Sequence, residues 1–116
     1  MKVMRLVNSA SAPALVEAEA PEPRPGRNQL LIRVHASGVT PTELDWYPTS
    51  HLKTGEERVG AIPGHEFSGV IAAVGEDVAS VAVGQEVYGM NDWFADGSTA
   101  EYCVTEPLWV APKPAV

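Results

Sequence analysis

"IPGHEFSGVIAAVGEDV", residues 62–78, is the stretch on which the fold turns. Its His65-Glu66 pair lies between Gly64 and Gly69, and a run of small apolar residues leads on to Gly75. Small and branched residues from His65 to Val74 predict a buried strand, in which glycine marks a kink or a close approach of backbones. Neighbouring side chains of a regular strand point to opposite faces. His65 and Glu66 then cannot both address one metal unless the backbone bends there. The stretch poses a choice between a zinc enzyme, a zinc-free enzyme and a plain β-domain.

The segments around it read as more short strands. Lys2–Leu6 is predicted as the first, and Gln29–Ser37 as another, with Leu30, Ile32 and Val34 on one face and Leu31, Arg33 and His35 on the other. Glu86–Met90, Ala100–Thr105 and Trp109–Ala111 complete the set. Residues 21–26 (PEPRPG) form a turn-rich connector, and residues 47–61 are polar without a strong period. Pro41 after Thr40 predicts a short helix with Thr40 as its N-cap. Ten prolines and ten glycines spread through 116 residues argue against long helices. The expectation is one mainly β domain over residues 1–116, a barrel or sandwich with one or two short helices.

Composition narrows the partners. The net charge of −7 argues against nucleic acid and anionic membrane surfaces, which are held by Lys and Arg. No apolar run approaches the roughly 20 residues needed to cross a bilayer, and the charged start Met1–Val7 does not resemble a secretory leader. A cytoplasmic location is expected. The single cysteine, Cys103, rules out an intramolecular disulfide and a four-cysteine zinc site, and it reads as an inert packing residue. No G-x-G-x-x-G follows a strand, so the sequence has no dinucleotide fingerprint.

Gly64-His65-Glu66-x-x-Gly69-x5-Gly75-x2-Val78 resembles the signature of the medium-chain alcohol dehydrogenase superfamily. Residues 36–43 (ASGVTPTE) resemble the loop after its third strand. Residues 83–89 (VGQEVYG) are similar to its G-D-x-V-x-G turn, and residues 97–102 (GSTAEY) to its G-x-x-A-E-Y strand entry. The resemblance covers essentially the whole chain and implies a GroES-like, partly open β-barrel that carries the catalytic cleft. In that family a Rossmann domain follows and binds NAD(P). The sequence ends before such a domain, so it reads as part of a larger two-domain protein and as inactive by itself.

The resemblance also bears on the metal. In zinc-binding members a loop cysteine and the histidine of G-H-E are ligands, and a third ligand lies further along. Thr40 stands at the cysteine position here, and a neutral hydroxyl is a poor zinc donor. Residues 38–43 (GVTPTE) follow the Gly-hydrophobic-Asn-Pro-x-Asp loop of the zinc-free quinone oxidoreductases and enoyl reductases, with Thr for Asn and Glu for Asp. The implied function is reduction of a quinone, enone or related carbonyl by NADP(H), held mainly by the following domain, with no zinc, in a homo-oligomer.

Thr40 and Thr42 are the implied catalytic residues. Thr40 and His65 would lie against the nicotinamide, and Trp46, Trp93 and Phe94 against the substrate. Plainer readings stand beside these: the aromatics as packing at the barrel ends, and Glu17, Glu19, Glu22, Glu56, Glu57, Glu76 and Asp77 as solvated surface. Glu66 is read as forming a buried ion pair, with an Arg of the following domain as its candidate partner, and His51 carries no signal. Two alternatives remain: a zinc-dependent alcohol dehydrogenase using His65 and Glu66, and a non-enzymatic GroES-like interaction module.

Overall fold

Strands dominate because branched and aromatic residues recur in short runs cut by Gly and Pro. The computed structural model describes residues 1–8 and 12–115. Its strands are β1 (Lys2–Asn8), β2 (Pro13–Glu19), β3 (Leu30–Ser37), β4 (Glu66–Val74), β5 (Glu86–Met90), β6 (Tyr102–Thr105) and β7 (Val110–Pro112). One short helix, α1 (Tyr47–Ser50), and two 3-10 turns, Glu43–Asp45 and Pro107–Trp109, lie between them.

All strand pairings are antiparallel. β1 and β2 make a two-stranded ribbon, and the other five form a sheet ordered β6-β3-β4-β5-β7. The ribbon joins the sheet through the Val3–Ala100 bridge and through the Met4 and Leu6 N–H groups, which donate to Thr99 and Ala61 carbonyls. The whole is a curled, incompletely closed barrel, as the sequence led us to expect.

Two register shifts between β3 and β4 do the curling. One leaves Ala72 of β4 without a partner in the ladder and the other leaves His35 of β3 so. Bulges of this kind bend a strand and increase its twist. Gly69 sits beside the second, where a Cβ would run into the Arg33 carbonyl oxygen. Any side chain at Gly69 would force β3 and β4 apart.

The main core is Leu30, Ile32, Phe67, Ile71, Val87 and Cys103, with Val34 and Val110 packed on it. Alternation places these residues on the inner face, as expected for Leu30, Ile32 and Val34. Leu31 is buried as well, so this end of β3 is covered on both sides. Each fully buried aliphatic side chain contributes about 1.5–3 kcal/mol relative to exposure. A second cluster, Val3, Ala20 and Ile62, joins the ribbon to the chain leading into β4.

Several sequence expectations need correction. No strand was expected over Pro13–Glu19, yet β2 pairs along the full length of β1. The helix expected from Pro41 is a 3-10 turn flanked by Thr42, with no side-chain cap, so Thr40 is not its N-cap. Residues 47–61 contain α1 and the His51–Glu57 bridge. Ala100 pairs with Val3, outside β6.

Candidate active-site cleft

The loop leaving β3 and the chain entering β4 are tied together at their bases. Gly38 N–H donates to the Glu66 carbonyl at 2.8 Å. The Gly38–Thr40 loop then turns over His65, with the Glu43 N–H donating to the Thr40 carbonyl at 3.1 Å. Gly64, just before His65, has φ +92°, and a Cβ there would lie 2.7 Å from the hydroxyl oxygens of Ser37, Ser98 and Thr99. Glycine is what lets the G-H-E segment pass this close to three hydroxyls.

Gly38, Thr40, Glu43, Trp46, His65, Glu66 and Trp93 line one narrow cleft of about 20 Å³. Ligand sites usually run to about 300–1,000 Å³, so this cleft by itself is too small to enclose a ligand. Trp46 and Trp93 stack with centroids 5.1 Å apart and planes at 26°. The His65 ring lies 6.1 Å from Trp93. Thr40, Trp46, His65 and Trp93, all singled out from sequence, therefore meet in space.

Thr42 and Phe94 do not join them. Thr42 is exposed, and its hydroxyl accepts the Trp46 indole N–H at 3.1 Å, outside the cleft. Phe94 lies in a neighbouring apolar hollow of about 620 Å³ with Lys53, Met90, Asn91, Asp92, Trp93 and Trp109, and Trp93 borders both this hollow and the cleft. There it meets Tyr47 edge-on at 6.5 Å, and the Lys53 ammonium stands 5.8 Å from its ring. A hollow of about 630 Å³ beneath the ribbon contains none of the cleft residues.

His65 is 4% exposed. Burial depresses its proton affinity, the Arg58 charge depresses it further, and Asp92 partly offsets both. The ring is therefore neutral near pH 7. Glu66 is exposed and makes no ion pair among the described residues.

Two residues with no assigned role in the sequence reading shape the cleft. Glu43 is 7% exposed, and its Oε2 accepts the Gly64 N–H at 2.9 Å. Burial raises its pKa, the Gly64 bond opposes the rise, and Glu66 adds to it. Arg58 has a side chain only 7% exposed, and donates to the Pro48 carbonyl at 2.6 Å and to Asp96 at 3.0 Å. Asp96 in turn accepts the Ile62 N–H at 3.1 Å. Arg58 thus ties α1 to the loop that carries Trp93. Its only sequence signal is that it is one of two cations, with Lys53, in a polar stretch.

Cys103 cannot supply the thiolate that Thr40 does not. It packs in the main core, and burial pushes its thiol up to about 12. No three His, Cys, Asp or Glu side chains converge on a metal position among the described residues. The cleft of this chain offers one imidazole, two carboxylates and a hydroxyl, and lacks a thiolate at the Thr40 position.

A Coxiella burnetii L-threonine 3-dehydrogenase is 36% identical over 77% of this chain and 25% of its own length. The chain thus spans about a quarter of the curated relatives it matches. The quinone oxidoreductase from Coxiella burnetii superposes with a TM-score of 0.77 at 27% identity, over 99% of this chain and 37% of its own. A mycobacterial protein solved in complex with NADPH superposes at 0.68 and 26%, over 87% and 30%. The fold alone, at 24% identity and a TM-score of 0.76 over 100% and 42%, is shared with a cobalt- and zinc-bound alcohol dehydrogenase from Pyrobaculum aerophilum. The barrel as such does not decide about a metal. Residues 26–115, which hold the G-H-E strand, its loop and the cleft, match the alcohol dehydrogenase GroES-like domain, and the chain belongs to that family.

Proposed function

We propose that this chain is the substrate-side domain of a zinc-independent, NADP(H)-dependent oxidoreductase that reduces a quinone, an enone or a related carbonyl compound. The intact protein works in the cytoplasm as a homo-oligomer. The observation that carries the reading is that Thr40, and no cysteine, lines the cleft with His65, while the only sulfhydryl, Cys103, is locked in the core. The NADPH-complexed and quinone oxidoreductase neighbours support the cofactor and the substrate class.

The bound nicotinamide supplies the hydride, held mainly by residues outside this chain. Trp46 and Trp93 offer a stacked apolar wall to a flat acceptor, and such ring contacts contribute about 0.5–1.5 kcal/mol per pair. The Thr40 hydroxyl donates a hydrogen bond to the acceptor oxygen as charge builds on it. A conjugated acceptor spreads that charge, so a hydrogen bond suffices where a simple alcohol would need a stronger electrophile.

The L-threonine 3-dehydrogenase likeness favours a second reading, oxidation of L-threonine or a similar amino-alcohol, to which the zinc-dependent alternative attaches. Steady-state kinetics on the full-length protein, with a quinone, an enone, ethanol and L-threonine in parallel, separates the two. The expected result is fastest turnover of quinone or enone with NADPH, a Thr40→Val variant that folds but turns over slowly, and no stoichiometric zinc by elemental analysis. Fastest oxidation of L-threonine or ethanol, with about one zinc per chain lost in His65→Ala, overturns it.

A further inference from the structure

Two buried side-chain polar atoms lack a hydrogen-bond partner among the described residues: His65 Nδ1 and Asn91 Oδ1. Both residues are almost wholly enclosed, at 4% and 0% exposed. Burying a polar atom without a partner costs about 1–3 kcal/mol. Two such atoms on opposed residues call for a common explanation.

The strand register puts them side by side. Glu66 pairs with Met90, so one step outward His65 stands opposite Asn91, and the Asn91 N–H donates to the His65 carbonyl at 3.2 Å. Directly opposed residues of an antiparallel pair project to the same face, with Cβ atoms about 4.5–5.5 Å apart. Burial agrees: Glu66 and Met90 both face out, while His65 and Asn91 are both enclosed. The Asn91 amide is also oriented. Its Nδ2 donates to the Asp96 carbonyl at 3.3 Å, so Oδ1 is the end left free. The two unpaired atoms are thus a nitrogen that can donate and an oxygen that can only accept.

We propose that Asn91 is the positioning residue of His65: its Oδ1 accepts a hydrogen bond from Nδ1–H, fixing the Nδ1–H tautomer and leaving Nε2 as an acceptor on the cleft side. A neutral ring carries one proton, so placing it on Nδ1 removes it from Nε2. The cleft then meets a ligand with two complementary groups, the Thr40 hydroxyl as donor and His65 Nε2 as acceptor. A ligand that carries an O–H or N–H beside its carbonyl, such as a hydroxyquinone or a hydroxylated enone, satisfies both.

The test needs only this chain. Long-range ¹H–¹⁵N NMR at a pH where His65 is neutral reads which ring nitrogen carries the proton, with His65→Gln identifying the signal among the three histidines. Three results are expected. The parent shows a protonated Nδ1. Asn91→Leu moves the proton toward Nε2. Asn91→Asp keeps the proton on Nδ1 and raises the pH at which the ring titrates, against the opposing charge of Arg58 and alongside Asp92. A parent protonated on Nε2, an unchanged tautomer in Asn91→Leu, or no upward shift in Asn91→Asp overturns the proposal. If Asn91→Leu does not fold, the parent spectrum and Asn91→Asp decide it.

Discussion

Gly64 concentrates more constraint than any other residue near the cleft. Its φ of +92° is a conformation that L side chains rarely adopt, and its Cα faces three hydroxyl oxygens. Gly64→Ala combines backbone strain, about 1–3 kcal/mol, with a steric clash. The expected outcome is a lower denaturation midpoint at unchanged slope, and a midpoint equal to the parent's would show that the turn relaxes freely. The titratable neighbours pull in opposite directions. His65 binds its proton less readily folded than unfolded, so its contribution is full above its ordinary value of 6.5 and declines as the pH falls below it. Glu43 binds its proton more readily folded, so its contribution is present below 4.5 and is lost as the pH rises through its folded value. Stability measured against pH should therefore lose its acid-side fall below 6.5 in His65→Gln. Glu43→Gln, which keeps an oxygen for the Gly64 N–H, should gain on the parent as the pH rises from 4.5. Parallel parent and variant curves would refute both assignments.

At the scale of elements, Arg58 ties α1 to the Trp93 loop by hydrogen bonds. One guanidinium reaches the Pro48 carbonyl and Asp96, and its fork geometry serves both at once. A lysine has the charge without the fork, so Arg58→Lys should restore little of what Arg58→Met loses. Hydrogen bonds to charged groups contribute about 1.5–3 kcal/mol each, which sets the expected loss. The near-ultraviolet signal of the stacked tryptophans should weaken in both variants, and full rescue by lysine would reduce Arg58 to a simple charge. The elements differ in how far the sequence revealed them. β3, β4 and β5 were legible because their inner residues, Leu30, Ile32, Phe67, Ile71 and Val87, are large, apolar and bounded by turns. β2 was not, because "PALVEAE" is exposed along nearly all its length and is held by pairing with β1, which leaves no two-residue period to read. The cleft was half legible. Thr40 and His65 lie within readable motifs, whereas the burial of Glu43 and Arg58 depends on partners distant in the chain. Asn91 looked like any polar residue after a strand until the register set it opposite His65.

Across the whole molecule, the most conspicuous surface feature is an apolar face on β5, β7 and the turn before β7. Leu108 is 89% exposed, and Tyr88, Met90, Trp93 and Trp109 are each at least 40% exposed. Two hollows share Met90 and Trp109, so these side chains form one continuous face. An apolar patch of this kind on a water-facing surface promotes association. The net charge of −7 opposes it by repulsion between chains. The balance predicts a salt effect of definite sign. At low ionic strength repulsion keeps the chains apart. At high ionic strength the Debye length falls from about 10 Å at 0.1 M to about 3 Å at 1 M, repulsion is screened, and the apolar face wins. Sedimentation of this chain should show self-association that rises with both concentration and salt, accompanied by binding of a hydrophobic dye. Leu108→Asp should suppress both effects and leave the melting temperature nearly unchanged, because a side chain so exposed contributes little to folding. Salt-driven dissociation would mean that ion pairs, and not this face, hold the chains together. A chain that stays monomeric and dye-free at high concentration and high salt would show that the exposed side chains are too dispersed to act as a surface.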